Sequence, residues 1–162
     1  MSARVLVAGV GNIFLGDDGF GVEVAHRLQG DAPPDGVQVV DAGIRGMHLA
    51  YDLLDGYDGV VLVDALARGD APGTLSVIEV DPADVSAMPG PPVADPHGFD
   101  PATVLAYAQR LGCTPRRVLV VGCEVGGVEP GVGLSEPVAA AVPAAVELVR
   151  RVVAEVAEEA HA

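Results

Sequence analysis

The chain has 162 residues, of which 50% are hydrophobic, and it carries a formal net charge of −14 with a pI near 4.3. This length fits one domain with one core, so we expect a single α/β domain over residues 1–162. The acidic charge argues against a nucleic-acid partner, because contact with phosphates needs lysine and arginine. No apolar run approaches the roughly 18 residues of a membrane span and the N-terminal segment lacks a signal-peptide pattern, so we expect a cytoplasmic protein with no membrane partner.

Short β-branched runs alternate with helix-period segments along the chain. This alternation predicts a three-layer αβα sandwich around a mostly parallel, five-stranded twisted sheet. The predicted strands are Val5–Ala8, Val37–Val40, Val60–Val63, Leu75–Val80 and Val118–Val121. The predicted helices are Phe20–Leu28, Met47–Leu54, Pro101–Leu111 and Pro137–Val156. The last of these is predicted to have one apolar face and a kink at Pro143; the face consists of Val138, Val142, Ala145, Val149 and Val152.

The turn after the first strand lies in RVLVAGVGNIFLGDDGFGVEV, residues 4–24. Gly9 and Gly11 fit the dinucleotide fingerprint G-x-G-x-x-G, but Phe14 stands where the third glycine belongs. Asp17 and Asp18 stand at the helix start, where they would repel a pyrophosphate. The turn therefore disfavours a nucleotide. We expect one of the two acids to cap the helix and the other to face the carboxyl edge of the sheet.

Asp41 closes the second predicted strand in VVDAGIRGMHL, where Gly43 and Gly46 indicate an exposed turn at the same edge. It is a candidate catalytic or specificity residue, and a simple turn aspartate is an equally good interpretation. In the disfavoured nucleotide alternative, Asp41 would be the ribose-binding acid.

Asp64 ends the third predicted strand in GVVLVDA. The connection that follows, ALARGDAPG, is too short for a parallel crossover, so the fourth strand is predicted to run antiparallel. The Pro/Gly-rich segment DPADVSAMPGPPVADPHGFD must then return to the carboxyl edge, which brings His97 there, ahead of a helix with Asp100 as its N-cap.

Ligands of open α/β sheets bind beyond the carboxyl ends of the strands, where Asp18, Asp64 and His97 are expected to converge. Two carboxylates and one imidazole suit a borderline or hard divalent metal and leave positions open for water or substrate. His26 and His48 lie in predicted helices and His161 near the terminus, so these three are poorer candidates.

Cys113 and Cys123 flank the predicted strand RVLVVG. A regular strand rises about 3.3 Å per residue, so it holds their sulfurs beyond bridging distance. We expect two free thiols. The chain contains no CxxC, HExxH or GxSxG motif.

Four segments of the chain resemble the hydrogenase maturation proteases, the endopeptidases that remove the C-terminal extension of [NiFe]-hydrogenase large subunits. They are GVGNIFLGDDGFGVEV, DAGIRGMHLAYDLLDGYDGVVLVDA, HGFDPATVLAYAQRLG and VLVVGCEVGGVEPGVGLSEPVAAAV. The resemblance implies a metal-contact set of Asp18, Asp64 and His97, with Asp41 carried as a possible catalytic residue. Some family members have Glu in place of Asp18, and the proline-rich loop before His97 is a second departure.

The resemblance also implies that nickel already inserted in the large-subunit precursor is the recognition signal, so the metal is borne by the substrate. Cleavage of the precursor after nickel insertion is then the expected activity. Two alternatives remain: a nickel-sensing assembly factor that binds the hydrogenase precursor without cutting it, and another metal-dependent hydrolase on the same fold.

Overall fold

The structure is a computed structural model that describes residues 3–43, 56–81, 109–110, 112 and 115–161. The predicted helix Met47–Leu54 and the predicted site residue His97 lie outside these ranges. Of the predicted helix Pro101–Leu111, only Gln109 and Arg110 are described, and both are helical.

Five strands and two long helices make up the described fold, with a short 3₁₀ helix at Gly16–Gly19. The strands are β1 (Val5–Val10), β2 (Val37–Gly43), β3 (Gly59–Leu66), β4 (Leu75–Val80) and β5 (Arg117–Glu124). The helices are α1 (Phe20–Gly30) and α2 (Glu136–His161). All five predicted strands are confirmed. Four of them run further than the sequence pattern indicated, because pairing with a neighbour extends past the apolar run.

The sheet has the strand order β2-β1-β3-β5-β4. The pairs β1–β2, β1–β3 and β3–β5 are parallel, whereas β4 lies antiparallel to β5 at the edge, as the short connection after β3 predicted. The chain moves outward from β1 to β2 and then returns to β3 on the other side of β1. In sheets with such a reversal, ligands usually bind beyond the carboxyl ends of the strands on either side of it, here β1 and β3.

Helices α1 and α2 cover one face of the sheet. The predicted apolar face of α2 is buried there, through Val138, Val142, Ala145, Val149 and Val152. Side chains on the opposite face are also buried, including Leu6 and Val118, so both faces of the sheet are covered as a layered α/β fold requires. Helix α2 ends five residues beyond the predicted Val156. Pro143 lies inside this helix, and the kink predicted there stays a prediction.

Two glycines of the β1–α1 segment allow α1 to lie directly on the sheet. A Cβ added to Gly21 would come within 2.0 Å of the Val63 carbonyl oxygen, and one added to Gly9 within 2.2 Å of the Gly21 carbonyl oxygen. The glycine pattern that resembles a nucleotide fingerprint therefore serves close packing of helix on strand.

No helix within the described ranges combines the length and the apolar character needed to cross a membrane.

Candidate active site

In the turn after β1, a carboxylate accepts a hydrogen bond from the backbone of the same turn. Asp18 Oδ2 accepts a hydrogen bond from the Asn12 backbone N–H at 2.8 Å, and Asn12 Oδ1 accepts one from the Phe14 N–H at 2.9 Å. Gly11 has a φ of 129°, and a Cβ there would lie 1.9 Å from the Asp18 carbonyl oxygen. A turn amide that could face a bound phosphate in a dinucleotide fold donates here to Asp18, which is consistent with the prediction against a nucleotide.

Asp17 is fully buried and joins two loops that are far apart in sequence. Its Oδ2 accepts hydrogen bonds from the N–H groups of Gly126 and Gly127 and from the Ser135 hydroxyl, at 2.7, 2.9 and 2.7 Å. Its Oδ1 accepts the Ser135 N–H at 2.6 Å. We call these four bonds the Asp17 latch. They fix the turn after β1 to the loop between β5 and α2.

The expectation that one of the paired acids caps the helix is wrong. Neither the 3₁₀ helix nor α1 has a side-chain hydrogen bond at its N-cap, since those positions are Leu15 and Gly19. The carboxylate of Asp17 is used by the distant loop and that of Asp18 by the preceding turn. The intervening 3₁₀ turn carries both acids away from the capping position.

The latch also controls the protonation of Asp17. Burial on its own raises the pKa of this carboxyl, but the hydrogen bonds from Ser135, Gly126 and Gly127 outweigh it, so the pKa lies below the ordinary value. Each of these donors stabilises the ionised form. Asp17 is therefore a structural anion at neutral pH.

Asp64 lies within β3 and does not follow it, because the strand continues to Leu66. Its side chain is buried, and its Oδ1 accepts the Ala65 N–H at 2.8 Å. Burial raises the pKa of Asp64 well above its usual value, and the negative charge of Asp18 raises it further. The hydrogen bond from Ala65 lowers this pKa but offsets the two effects only in part. The two carboxyls are thus close enough for one charge to disfavour the other.

Asp18 and Asp64 are the two predicted metal contacts that fall within the described ranges. Their chemistry fits a divalent cation, since two oxygen donors that repel each other are both relieved by a positive ion. The third predicted contact, His97, lies outside the described ranges. Among described side chains, no group of three His, Cys, Asp or Glu residues is arranged to hold a metal.

Asp41 lies inside β2, two residues before the strand ends at Gly43, and it is partly exposed. Its Oδ2 is 2.7 Å from His26 Nε2 on α1, a contact that the sequence analysis did not anticipate. The position of His26 in a predicted helix made it a poorer candidate, and no sequence signal spans the 15 residues between the two side chains. The pair forms a polar wall beside the turn that contains Asn12.

Glu124 at the end of β5 is a buried acid that the sequence pattern did not single out. Its carboxylate accepts the backbone N–H groups of Arg68 and Gly69 at 2.8 and 2.9 Å. It therefore holds the short connection by which the chain turns from β3 into the antiparallel β4. Its role is structural.

Cys123 is a free, buried thiol within β5, so that half of the thiol prediction is confirmed. Burial, together with the charges of Asp17 and Glu124, raises the pKa of its thiol to about 11. Cys113 lies outside the described residues.

The segment GLS, residues 133–135, now has a physical explanation. It belongs to the resemblance drawn from the sequence, but the residues alone indicated no function for it. Ser135 supplies two of the four bonds of the Asp17 latch. Both the GLS segment and the acid pair lie in the segments that carry the family resemblance, but nothing in those segments predicted their contact.

Comparisons with known proteins identify the family of the chain. The sequence model of the hydrogenase maturation protease family, HycI, matches residues 22–152. The chain is 34% identical over 153 residues to hydrogenase expression/formation protein HupD of Rhizobium leguminosarum, covering 92% of this chain and 73% of that protein. It is 34% identical over 148 residues to hydrogenase 2 maturation protease of Escherichia coli, covering 90% and 88%.

The fold is also similar to a solved structure, the hydrogenase maturating endopeptidase HybD from E. coli. The TM-score is 0.79 at 32% identity, with 94% of this chain and 93% of that chain covered. Matched sequence over most of the chain and matched topology lead to the same conclusion. The chain belongs to the hydrogenase maturation protease family and is a peptide-bond hydrolase of that family.

Proposed function

We propose that this protein removes the C-terminal extension from the large-subunit precursor of a [NiFe]-hydrogenase, and that it does so only after nickel has been inserted into the precursor. Membership of the maturation protease family supports the reaction. The neighbouring carboxyls of Asp18 and Asp64 support recognition of a metal. That pair is the observation on which the proposal rests most heavily.

Asp64 has an energetic reason to bind a cation. Burial and the charge of Asp18 disfavour the ionised form of its carboxyl. Either a bound proton or a bound cation would stabilise this group, so the site lacks a positive charge. With His97 as the third contact, the site would leave positions for groups of the precursor. Nickel is then part of the substrate, and this chain tests for its presence.

The remaining chemistry is assigned to carboxylates of this chain. Asp41 is the proposed further catalytic residue, since it is exposed and its orientation is set by His26. A carboxylate in this position can take a proton from water as a general base. A divalent ion at such a site polarises the scissile carbonyl or lowers the pKa of water. The cytoplasm predicted from the sequence is the expected compartment.

The test compares nickel-loaded with nickel-free precursor of the large subunit from the same organism. Purified protein is incubated with each, and the mass of the large subunit is followed by mass spectrometry. We expect shortening of the loaded precursor only, with His97→Ala as the inactive control. Equal cleavage of both precursors would contradict nickel recognition. Binding of the loaded precursor without any shortening would favour the assembly-factor alternative.

A further inference from the structure

Exposed apolar side chains are grouped at the carboxyl edge of the sheet. Among the described residues, four large hydrophobic side chains are exposed: Ile13, Phe14, Val77 and Val132. Three of them lie on the two loops joined by the Asp17 latch, and we call Ile13, Phe14 and Val132 the apolar rim. Single exposed apolar residues are ordinary, but a group of them beside polar residues marks an interaction surface.

Backbone hydrogen bonds hold the rim in place. The Gly131 N–H donates to the Phe14 carbonyl at 2.8 Å, and the Gly16 N–H donates to the Gly131 carbonyl at 2.9 Å. Leu15 and Gly131 form an isolated parallel bridge between the same loops. Phe14 and Val132 are 64% and 77% exposed although the backbone around them is paired. Apolar groups that are already ordered lose little freedom when a partner covers them.

A groove of about 270 Å³ is lined by Ile13 and Phe14 of the rim and by Asp41. Asn12, Ile13 and Phe14 form one wall, and Val22, His26 and Asp41 belong to the other. Asn12 donates its N–H to Asp18, so this wall is bonded directly to one of the two described metal contacts. A chain lying in the groove would therefore contact both the apolar side chains and Asp41.

We infer that the apolar rim and this groove bind an apolar segment of the large-subunit precursor next to the peptide bond that is cut, with Phe14 and Val132 as specificity-determining residues. The inference rests on the proposed function. Asp41 lines the groove, and Glu129 lies beside Val132 around the neighbouring loop cleft. These carboxylates suit a segment with neutral or basic flanks. A second copy of this chain fits less well, because each copy carries a net charge of −14.

The chain offers a matched control for the test. Val132→Ser removes an exposed valine from the rim, whereas Val77→Ser makes the same change on the outer strand β4, away from the groove. Cleavage kinetics of the nickel-loaded precursor are measured for both variants and for Phe14→Ser. We expect KM to rise roughly tenfold for the rim variants with kcat unchanged, since the lost contact is made equally before and during reaction. Val77→Ser should keep the wild-type KM and kcat.

Thermal unfolding and sedimentation complete the experiment. Because the three side chains are exposed, all variants should keep the wild-type melting temperature and the wild-type mass in solution. Wild-type KM in both rim variants, while the wild-type protein cleaves the precursor, would overturn the inference and leave the proposed function standing. Loss of a dimer in the rim variants would assign the surface to a second copy and also overturn it. No cleavage by the wild-type protein would overturn the proposed function and this inference with it.

Discussion

Asp64 is a residue whose chemistry conflicts with the stability of the fold. Its carboxyl is buried in β3, and both burial and the charge of Asp18 raise its pKa. A group whose pKa is higher in the folded than in the unfolded protein destabilises the fold above the folded pKa, and this cost disappears below the unfolded pKa. Such a cost at an active site is typical of residues kept for function.

We therefore expect Asp64→Asn to stabilise the protein while removing activity. Asparagine keeps the volume and can still accept the Ala65 N–H, but it carries no charge beside Asp18. At neutral pH the melting temperature should rise by roughly 2–4 °C, and the gain should vanish as the pH falls below about 4. Cleavage of the precursor should fall by roughly 10²- to 10⁴-fold. A variant that melts earlier than wild type at pH 7 would contradict this account.

At the scale of the elements, the Asp17 latch holds the β1–α1 turn against the β5–α2 loop. The residues it joins are up to 118 positions apart in sequence, so the latch closes only when β1 and β5 already lie in one sheet. It fixes the loops that carry Asp18 on one side and Val132 on the other. The geometry of the candidate site thus depends on a side chain that is not itself assigned to the chemistry.

Asp17→Asn should lower the free energy of unfolding by about 3 kcal/mol, because one carboxylate oxygen is replaced by an amide NH₂ group that faces N–H donors. Ser135→Ala, which removes only the hydroxyl bond, is the matched control and should cost about 1 kcal/mol. Denaturant titration of both variants at pH 7 measures the difference. Equal stability of the two variants would show that the negative charge of Asp17 does not strengthen the latch.

The latch has a definite pH dependence. The pKa of Asp17 is lower in the folded than in the unfolded protein, so its stabilisation is complete above the unfolded pKa and is lost as the pH falls through the folded pKa. The loss of stability in Asp17→Asn should therefore be largest near neutral pH and shrink below about pH 4. This is the opposite sign to the effect of Asp64.

At the scale of the whole molecule, Cys123 reports on the integrity of the sheet. It lies in β5 between β3 and β4, is fully buried, and has a thiol pKa of about 11. Both burial and the protonated state prevent reaction with a thiol reagent. Modification then requires opening of the sheet and not of a surface loop.

In a Cys113→Ser variant, we expect Cys123 to be unreactive in the folded protein and to react fully after unfolding without any reductant. The labelling rate in low denaturant should follow the global unfolding equilibrium measured by circular dichroism. Rapid labelling under native conditions would mean that the β4 edge opens locally. The expectation that Cys113 is also free is checked by counting thiols in the unfolded wild-type protein.

Local patterns in the sequence determined much of this architecture. Apolar runs placed all five strands, the spacing of Val138, Val142 and Val149 placed the buried face of α2, and the short connection after β3 required an antiparallel β4. These features depend on near neighbours and on the reach of a short chain, so they can be read without a structure. The carboxyl-edge rule likewise placed Asp18 and Asp64 together, and the family resemblance was confirmed.

Only the tertiary structure decided which side chains Asp17 and Asp41 contact. The sequence predicted a helix cap from the acid pair, but Asp17 bonds to Ser135 at a separation of 118 residues, and Asp41 meets His26, a residue set aside on local grounds. Such contacts depend on how helices and loops pack across the sheet, which no short pattern encodes. The raised pKa of Asp64 is of the same kind, because burial and the proximity of Asp18 exist only once β1 and β3 lie side by side.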